Sequence, residues 1–222
     1  MEGKVKLAFN AGIQAYAKTE QIDGAAFSTE LAKAFELDKP FVDKVAALDA
    51  VFDDHQQFEE LREIYFDLLM INFFAEDVQK LEGDYLDSPE WEAIEEDTID
   101  RGTELLNIFL YLRECADDEI EPSLDDYLKE FLLVEEDEFQ DEYNIYETVI
   151  ANQILVDSTY PEISKVAESL SFNDDMKELF YPVMSFFNEQ KPTDAQFDEF
   201  VKASQNRALD LATYQIIVNF NK

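Results

Sequence analysis

Apolar residues recur every three or four positions along most of this chain, the spacing that places them on one face of an α-helix. The stretch 41–52 is typical, with apolar side chains at positions 41, 42, 45, 48 and 51. No stretch shows a convincing alternation of apolar and polar residues, which is the pattern of a half-buried strand. The hydrophobic pattern therefore predicts an all-α fold, a compact multi-helix domain of nine to ten helices.

Helix boundaries follow from residues that favour or interrupt helical backbone. Ser88 followed by Pro89 is a typical helix start, because serine caps free N–H groups and proline suits the first helical position. Pro182 is predicted to kink the helix that contains it. Further caps are predicted at Ser28, Ser123, Asn173 and Thr193. The predicted helices cover about 5–18, 28–37, 41–52, 56–81, 89–115 with a break near 97–98, 123 to a soft break at 135–138, 139–156, 160–170, 173–188 and 194–218.

The chain is predicted to form one helical domain over 1–222, with a faint internal repeat. The sequence from Glu30 to Lys33 resembles that from Glu162 to Lys165, and a longer apolar helix and a final long helix follow each. Two pseudo-repeated helical halves, 1–82 and 138–222, would then flank an acidic helical insert at 83–137. Chance similarity between helical sequences is the alternative interpretation.

Charge is the most unusual property of the composition. The chain has 52 acidic residues and 17 Lys and Arg, which give a formal net charge of −35. Residues 76–147 hold 27 of the acids and only 4 of the bases, a net charge of −23. Such a field repels phosphate backbones and anionic lipids and attracts basic surfaces. We therefore expect a basic protein surface as partner, with no direct binding of nucleic acid or membrane.

The longest apolar run also argues against a membrane protein. Positions 64–75 are mainly apolar but include Asp67 and Asn72, and a bilayer span needs about 20 apolar residues. The N-terminus lacks the apolar stretch and cleavage site of a signal peptide. Because Cys115 is the single cysteine, no disulfide can form within the chain, which suits a reducing compartment. A cytoplasmic location is expected.

No catalytic, metal or cofactor motif is recognisable, so no catalytic residue, metal ligand set or cofactor is predicted. His55 is the only histidine, and no glycine-rich phosphate loop or Gly-x-Ser-x-Gly elbow is present. The acidic loop at 117–122 has proline where an EF-hand loop has its turning glycine. The acids beside His55 could form a cation site, but a solvated helix junction is the plainer interpretation. Whether the protein is an enzyme stays open.

Polar residues inside apolar helices form the second unusual pattern. Asp67 and Asn72 lie in one such helix, Asn107 in another and Asn152 in a third. Buried polar groups need hydrogen-bond partners, so these four side chains could share one polar site with Asp67 as its charged member. Separate local hydrogen bonds are the alternative.

The acidic segment carries the functional hypothesis. Glu92, Glu95, Glu96 and Asp100 are spaced three, four and eight residues apart, which places them on or near one side of a helix. The lead interpretation is an interaction or adaptor protein that docks this face on a basic partner. The alternatives are a DNA-mimic inhibitor of a nucleic-acid-binding protein, a carboxylate-based divalent-cation binder or enzyme, and acidity that serves only solubility in salt. The sequence does not determine the oligomeric state.

Overall fold

The computed structural model describes residues 1–131, 133–135, 138–139 and 144–222, and it confirms the all-α fold. In these ranges, 10 α-helices have at least seven residues. The helices are α1 Gly3–Glu20, α2 Ala25–Phe35, α3 Phe41–Asp54, α4 Arg62–Glu76, α5 Gly83–Leu86, α6 Pro89–Thr98, α7 Leu105–Asp117, α8 Leu124–Asp126, α9 Glu147–Ala151, α10 Tyr160–Ser169, α11 Phe180–Asn188, α12 Asp194–Ala203 and α13 Arg207–Phe220.

Shorter elements connect these helices. Three 3₁₀-helices span Gln56–Leu61, Val78–Leu81 and Gln153–Asp157, and a π-helical turn spans Tyr127–Phe131. The soft break predicted at 135–138 falls in a short antiparallel strand pair that the sequence did not predict, β1 Leu133–Glu135 and β2 Glu138–Phe139. Positions 136 and 137 lie outside the described residues.

The core is built around α4 and the contact between α1 and α13. Every residue of α4 from Ile64 to Phe74 is buried, as expected for a helix that is apolar on all sides. α1 makes its most extensive helix contact with α13. Gly12 permits that contact, because a Cβ there would lie 2.6 Å from Ile216 Cδ1 and 2.7 Å from the Tyr65 hydroxyl. The first and last helices of the chain are therefore packed directly together.

The predicted helix 56–81 is wrong, because it consists of a 3₁₀-helix, α4 and a second 3₁₀-helix. Phe58 and Leu61 are both buried in the first of these elements, and their separation of three residues matches the three-residue turn of a 3₁₀-helix. Asp77 ends α4 in an extended conformation, and its carboxylate accepts a hydrogen bond from the Gln79 N–H. This local hydrogen bond competes with helix continuation.

The predicted last helix, 194–218, is also wrong, because it is divided into α12 and α13. The carboxyl group of Asp210 accepts hydrogen bonds from the Ser204 hydroxyl (2.6 Å) and from the Asn206 N–H (3.3 Å). Ser204 itself is extended, at φ −61° and ψ 138°. These bonds close the turn between the helices and satisfy N–H groups at the start of α13.

Other boundaries are displaced for similar local reasons. The helix predicted from Asn173 begins at Phe180, so Pro182 lies in the first turn of α11, where proline is tolerated, and does not kink the helix interior. Asp174 shapes the preceding turn by accepting from the Met176 N–H. Ser28 lies inside α2, which begins at Ala25. The helix predicted at 139–156 is reduced to α9 and a 3₁₀-helix, and residues 140–143 lie outside the described part.

The predicted caps at three other helix starts are confirmed. The hydroxyls of Ser88, Ser123 and Thr193 each accept a hydrogen bond from the backbone N–H three residues later, that of Trp91, Asp126 and Gln196 respectively.

The pseudo-repeat of 1–82 and 138–222 is not confirmed, and the division into sub-structures stays a prediction. In the described part of the chain, no helix combines the length and apolar character needed to cross a membrane.

Candidate functional site

The acidic residues predicted to face a partner lie on and just after α6. Glu92, Glu95 and Glu96 belong to α6, Asp100 follows two residues after its end, and all four are exposed. The opposite side of the helix is anchored, since Ile94 and Thr98 are buried. Trp91 adds to this anchor by packing 5.4 Å from Phe74 and 6.3 Å from Tyr85, measured between ring centroids. We call the four exposed acids, Glu92, Glu95, Glu96 and Asp100, the α6 patch.

The α6 patch has no cation to neutralise it within the described structure. All 17 Lys and Arg residues lie in the described ranges, and none of them is within 4.0 Å of a carboxylate of the patch. Arg101 is adjacent to Asp100 in sequence, but its guanidinium pairs with Asp49 and Glu63 at 3.0 Å each. The carboxylates of the patch are therefore exposed to solvent without a cationic partner.

The two arginines near α4 are held by acids of the fold. Arg101 bonds both oxygens of Asp49 and lies 4.8 Å from the Phe66 ring centroid. Arg62 donates to Asp49, Asp53 and Glu59 at 2.7–3.2 Å. A planar guanidinium with several donors suits such multiple pairing. These arginines fasten α3, α4 and the α6–α7 connection together, and they are not available to the outer acids.

Asp67 is a buried acid at the centre of the molecule, 1% exposed. Thr103 donates its backbone N–H to both carboxyl oxygens, at 3.0 Å each, and the Thr103 hydroxyl lies 2.5 Å from Oδ2. Burial raises the pKa of the Asp67 carboxyl well above its usual range. The hydrogen bonds from Thr103 oppose that rise, and the negative charges of Glu63 and Glu104 add to it. The arrangement therefore favours the protonated form of Asp67.

The four predicted buried polar residues do not come together in one site. Asn72 is buried, lies five residues after Asp67 on α4, accepts from the Glu2 N–H and donates to Glu76. Asn107 and Asn152 are only partly buried. Asn107 donates to Glu104 and to the Tyr146 hydroxyl, and Asn152, which follows the last residue of α9, donates to the Thr148 carbonyl oxygen in that helix. Each of the four side chains therefore has its own hydrogen-bond partners. This agrees with the alternative interpretation, in which the four residues make separate local hydrogen bonds.

A cleft of about 540 Å³ opens beside Asp67's partner Thr103. Its walls come from the Gln56–Leu61 3₁₀-helix, the start of α4, the α6–α7 connection and the segment before α11. Phe172 stands at its edge and is 93% exposed. The sequence did not predict Phe172 as a site residue. In the sequence, Phe172 is a single phenylalanine among serine, asparagine and aspartate. That pattern does not distinguish an exposed phenylalanine from one in the core.

The residues considered for catalysis occupy structural positions. His55 ends α3, and its Nε2 lies 2.9 Å from Glu30 Oε2. Cys115 is buried in α7, and burial raises the pKa of its thiol, which disfavours the reactive thiolate. Within the residues that the structure describes, no group of three or more His, Cys, Asp or Glu side chains is arranged to hold a metal ion.

Known proteins add no functional information. No protein family model, no curated protein and no solved structure matches this chain.

Proposed function

We propose that this protein is an acidic interaction or adaptor protein that docks on the basic surface of a partner protein through the α6 patch. The observation that carries the proposal is the un-neutralised patch itself, four exposed carboxylates with no cation of the described structure within ion-pairing distance. Like charges on one helix side oppose folding, since pairs three or four residues apart repel. A basic partner would remove that repulsion.

The placement of the α6 patch supports docking. Ile94 and Thr98 fix the inner side of α6 against the core, so the outer carboxylates need little reordering when a partner binds. The net charge of −23 over residues 76–147 extends the attractive field beyond the four residues. Charge complementarity of this type speeds association at low salt and loses its effect as salt rises.

The test is capture of partners from cell lysate by immobilised protein, with four substitutions made together, Glu92→Lys, Glu95→Lys, Glu96→Lys and Asp100→Lys. A matched control reverses four other exposed acids whose carboxylates make no hydrogen bond or ion pair in the described structure, Glu20, Glu36, Asp38 and Asp198. Both variants change the net charge by the same amount. We expect the α6 variant to lose salt-sensitive partners that the control variant and the unchanged protein retain.

Three outcomes would contradict the proposal or favour one of the alternative functions. If both variants capture the same proteins as the unchanged chain, the acidity serves solubility and the proposal fails. If duplex DNA displaces the captured proteins, they are nucleic-acid-binding proteins and the DNA-mimic alternative is favoured. If calcium or magnesium binds in titration calorimetry and no partner is captured, the carboxylate-based cation binder or enzyme is favoured.

The proposal also includes a cytoplasmic location, where the buried thiol of Cys115 would stay reduced. Direct contact with nucleic acid or with an anionic membrane is not part of it, because the same charge that attracts a basic protein repels both.

A further inference from the structure

Phe172 is the most exposed large apolar residue in the described structure, at 93%. It lies in the connection between α10 and α11, at the edge of the 540 Å³ cleft and of a second cavity of about 310 Å³. A phenylalanine side chain that is exposed to water does not contribute the stabilising free energy that its burial would give. Aromatic side chains are also enriched among residues that anchor protein interfaces. The position of Phe172 between two cavities therefore indicates a binding surface.

The floor of the 540 Å³ cleft is apolar. Ile64, Leu179 and Leu209 contribute to it, and each is 3% exposed because the core supports it from behind. Together with Phe172 they offer contact for a large aliphatic or aromatic side chain. The volume lies within the range of about 300–1,000 Å³ that ligand pockets commonly have.

The rim of this cleft is acidic. Glu59, Glu60, Asp175 and Glu178 are exposed around the apolar floor. Asp175 and Glu178 come from the same segment as Phe172, and neither carboxylate lies within ion-pairing distance of a Lys or Arg in the described residues. A partner that fills the floor must therefore bring positive charge to the rim.

Of the two cations that line the cleft, Arg62 neutralises a single rim acid, Glu59, at 2.8 Å, and neither cation pairs with Glu60, Asp175 or Glu178. Arg62 is held by Asp49, Asp53 and Glu59. Lys177 donates to the carbonyl oxygens at 167, 168 and 170, at 2.6, 3.1 and 3.2 Å, and so caps the C-terminal end of α10. Both cations are engaged in stabilising the fold.

We infer that the cleft beside Phe172 docks a cationic peptide segment of a partner protein, one that carries Lys or Arg next to a large apolar residue. The apolar side chain packs on Phe172 and the cleft floor, and the cations meet the carboxylates of Asp175, Glu178 and Glu60. This inference rests on the proposed function and adds a second contact. No residue of the α6 patch lines the cleft, so the two surfaces can be tested separately.

The probe is a fluorescent peptide of about 15 residues, with Lys and Leu arranged as the two faces of a helix. One comparison peptide has every Leu replaced by Ser, and another has every Lys replaced by Gln. Affinity is measured by fluorescence anisotropy at low and moderate salt. We expect the full peptide to bind more tightly than either comparison peptide, because the cleft offers both apolar and acidic contacts.

Two cleft variants test the site, Phe172→Ala and the double variant Asp175→Lys/Glu178→Lys. The matched controls are Ile154→Ala, at another exposed apolar residue (79%), and Glu114→Lys/Asp117→Lys, an exposed acid pair with the same spacing on α7. Each cleft variant should weaken binding about tenfold, the effect of losing an interface anchor, and each control by less than about twofold. Circular dichroism should show unchanged folding, since the substituted side chains are exposed.

The outcomes separate this inference from the proposed function. Cleft variants that bind the peptide as tightly as the unchanged protein overturn the inference. If only the α6 variant, with Lys at the four patch positions, loses the peptide, the proposed function is supported and the cleft inference fails. If only the cleft variants lose it, the inference is supported, and capture from lysate still tests the α6 patch separately. If the peptide does not bind the unchanged protein at all, the inference fails, and capture from lysate still decides the proposed function.

Discussion

Asp67 and Thr103 join the central helix of this protein to the connection that follows the acidic α6. The two residues are separated by 36 positions in sequence, and yet Thr103 contacts the Asp67 carboxyl group through both its N–H and its hydroxyl. Glu63, one turn earlier on α4, accepts the N–H of Gly102 at 2.7 Å. Two acids of α4 thus fix the path of the backbone between α6 and α7, and they hold α6 in its place at the surface.

Replacing Asp67 should destabilise the protein to a degree that depends on the substitute. Asp67→Ala leaves the Thr103 N–H without its partner in a partly buried position, which costs about 1–3 kcal/mol of unfolding free energy. Asp67→Asn should cost less, because an amide keeps a carbonyl oxygen that can accept from Thr103 and, like a protonated carboxyl group, carries no charge. Urea denaturation at pH 7 compares the two. An Asn variant as unstable as the Ala variant would show that Asp67 is ionised in the folded protein.

Gly102→Ala should also be destabilising. Gly102 has φ +87°, a conformation that residues with a Cβ rarely adopt, and an added Cβ would lie 2.5 Å from Asp67 Oδ1 and 3.1 Å from Phe66 Cδ1. The backbone strain alone is on the order of 1–3 kcal/mol. Gly83→Ala is the control, because no other atom lies within 4 Å of a Cβ built there. Thermal melting should separate the two variants, and equal melting temperatures would show that the connection relaxes.

The all-α fold could be predicted from the sequence because helical periodicity and a shortage of breakers are local signals. The caps at Ser88 and Thr193 were predictable for the same reason, since each acts on residues three positions away. The break between α12 and α13 was not, because nothing in the local pattern shows that the Asp210 carboxyl group turns back to Ser204.

The candidate site was predictable only in part. The spacing of Glu92, Glu95 and Glu96 correctly indicated residues close together on one helix, and the exposure of these residues agrees with their polarity. The burial of Asp67 followed from its apolar neighbours, but its partner Thr103 lies 36 residues away. Phe172 was missed because apolar residues are usually buried, and only the three-dimensional structure shows that this one is not.

Asp210 should make stability depend on pH. It is 5% exposed, and burial raises its pKa to about 6, against the hydrogen bonds from Ser204 and Asn206. Between about pH 4 and 6 the folded protein therefore binds a proton at this site that the unfolded chain releases, so stability falls as pH rises, by about 1 kcal/mol per pH unit. The stabilisation is present at low pH and is lost as pH rises through 6.

The pH prediction is checked by chemical denaturation of the unchanged protein and of Asp210→Asn at pH 5, 6 and 7. The asparagine variant keeps an acceptor for Ser204 but cannot ionise, so its stability should fall less steeply over this range. The other acids are present in both proteins and contribute equally to both slopes. Parallel slopes in the two proteins would mean that Asp210 titrates near its ordinary pKa.

Moderate salt should stabilise the protein, because most acids in the described part of the chain lack a cationic partner. The net charge of −35 produces repulsion that opposes the compact state. Salt shortens the screening length from about 10 Å at 0.1 M to about 3 Å at 1 M, so repulsion between neighbouring carboxylates weakens. A gain of about 1 kcal/mol would raise the melting temperature by about 2–4 °C for a chain of this size.

The variant with Lys at positions 92, 95, 96 and 100 should gain less stability from salt, since it has lost part of the repulsion between carboxylates. Calorimetry of both proteins in low and moderate salt decides the point, and an unchanged or lower melting temperature would show that the carboxylates are already far enough apart not to oppose folding.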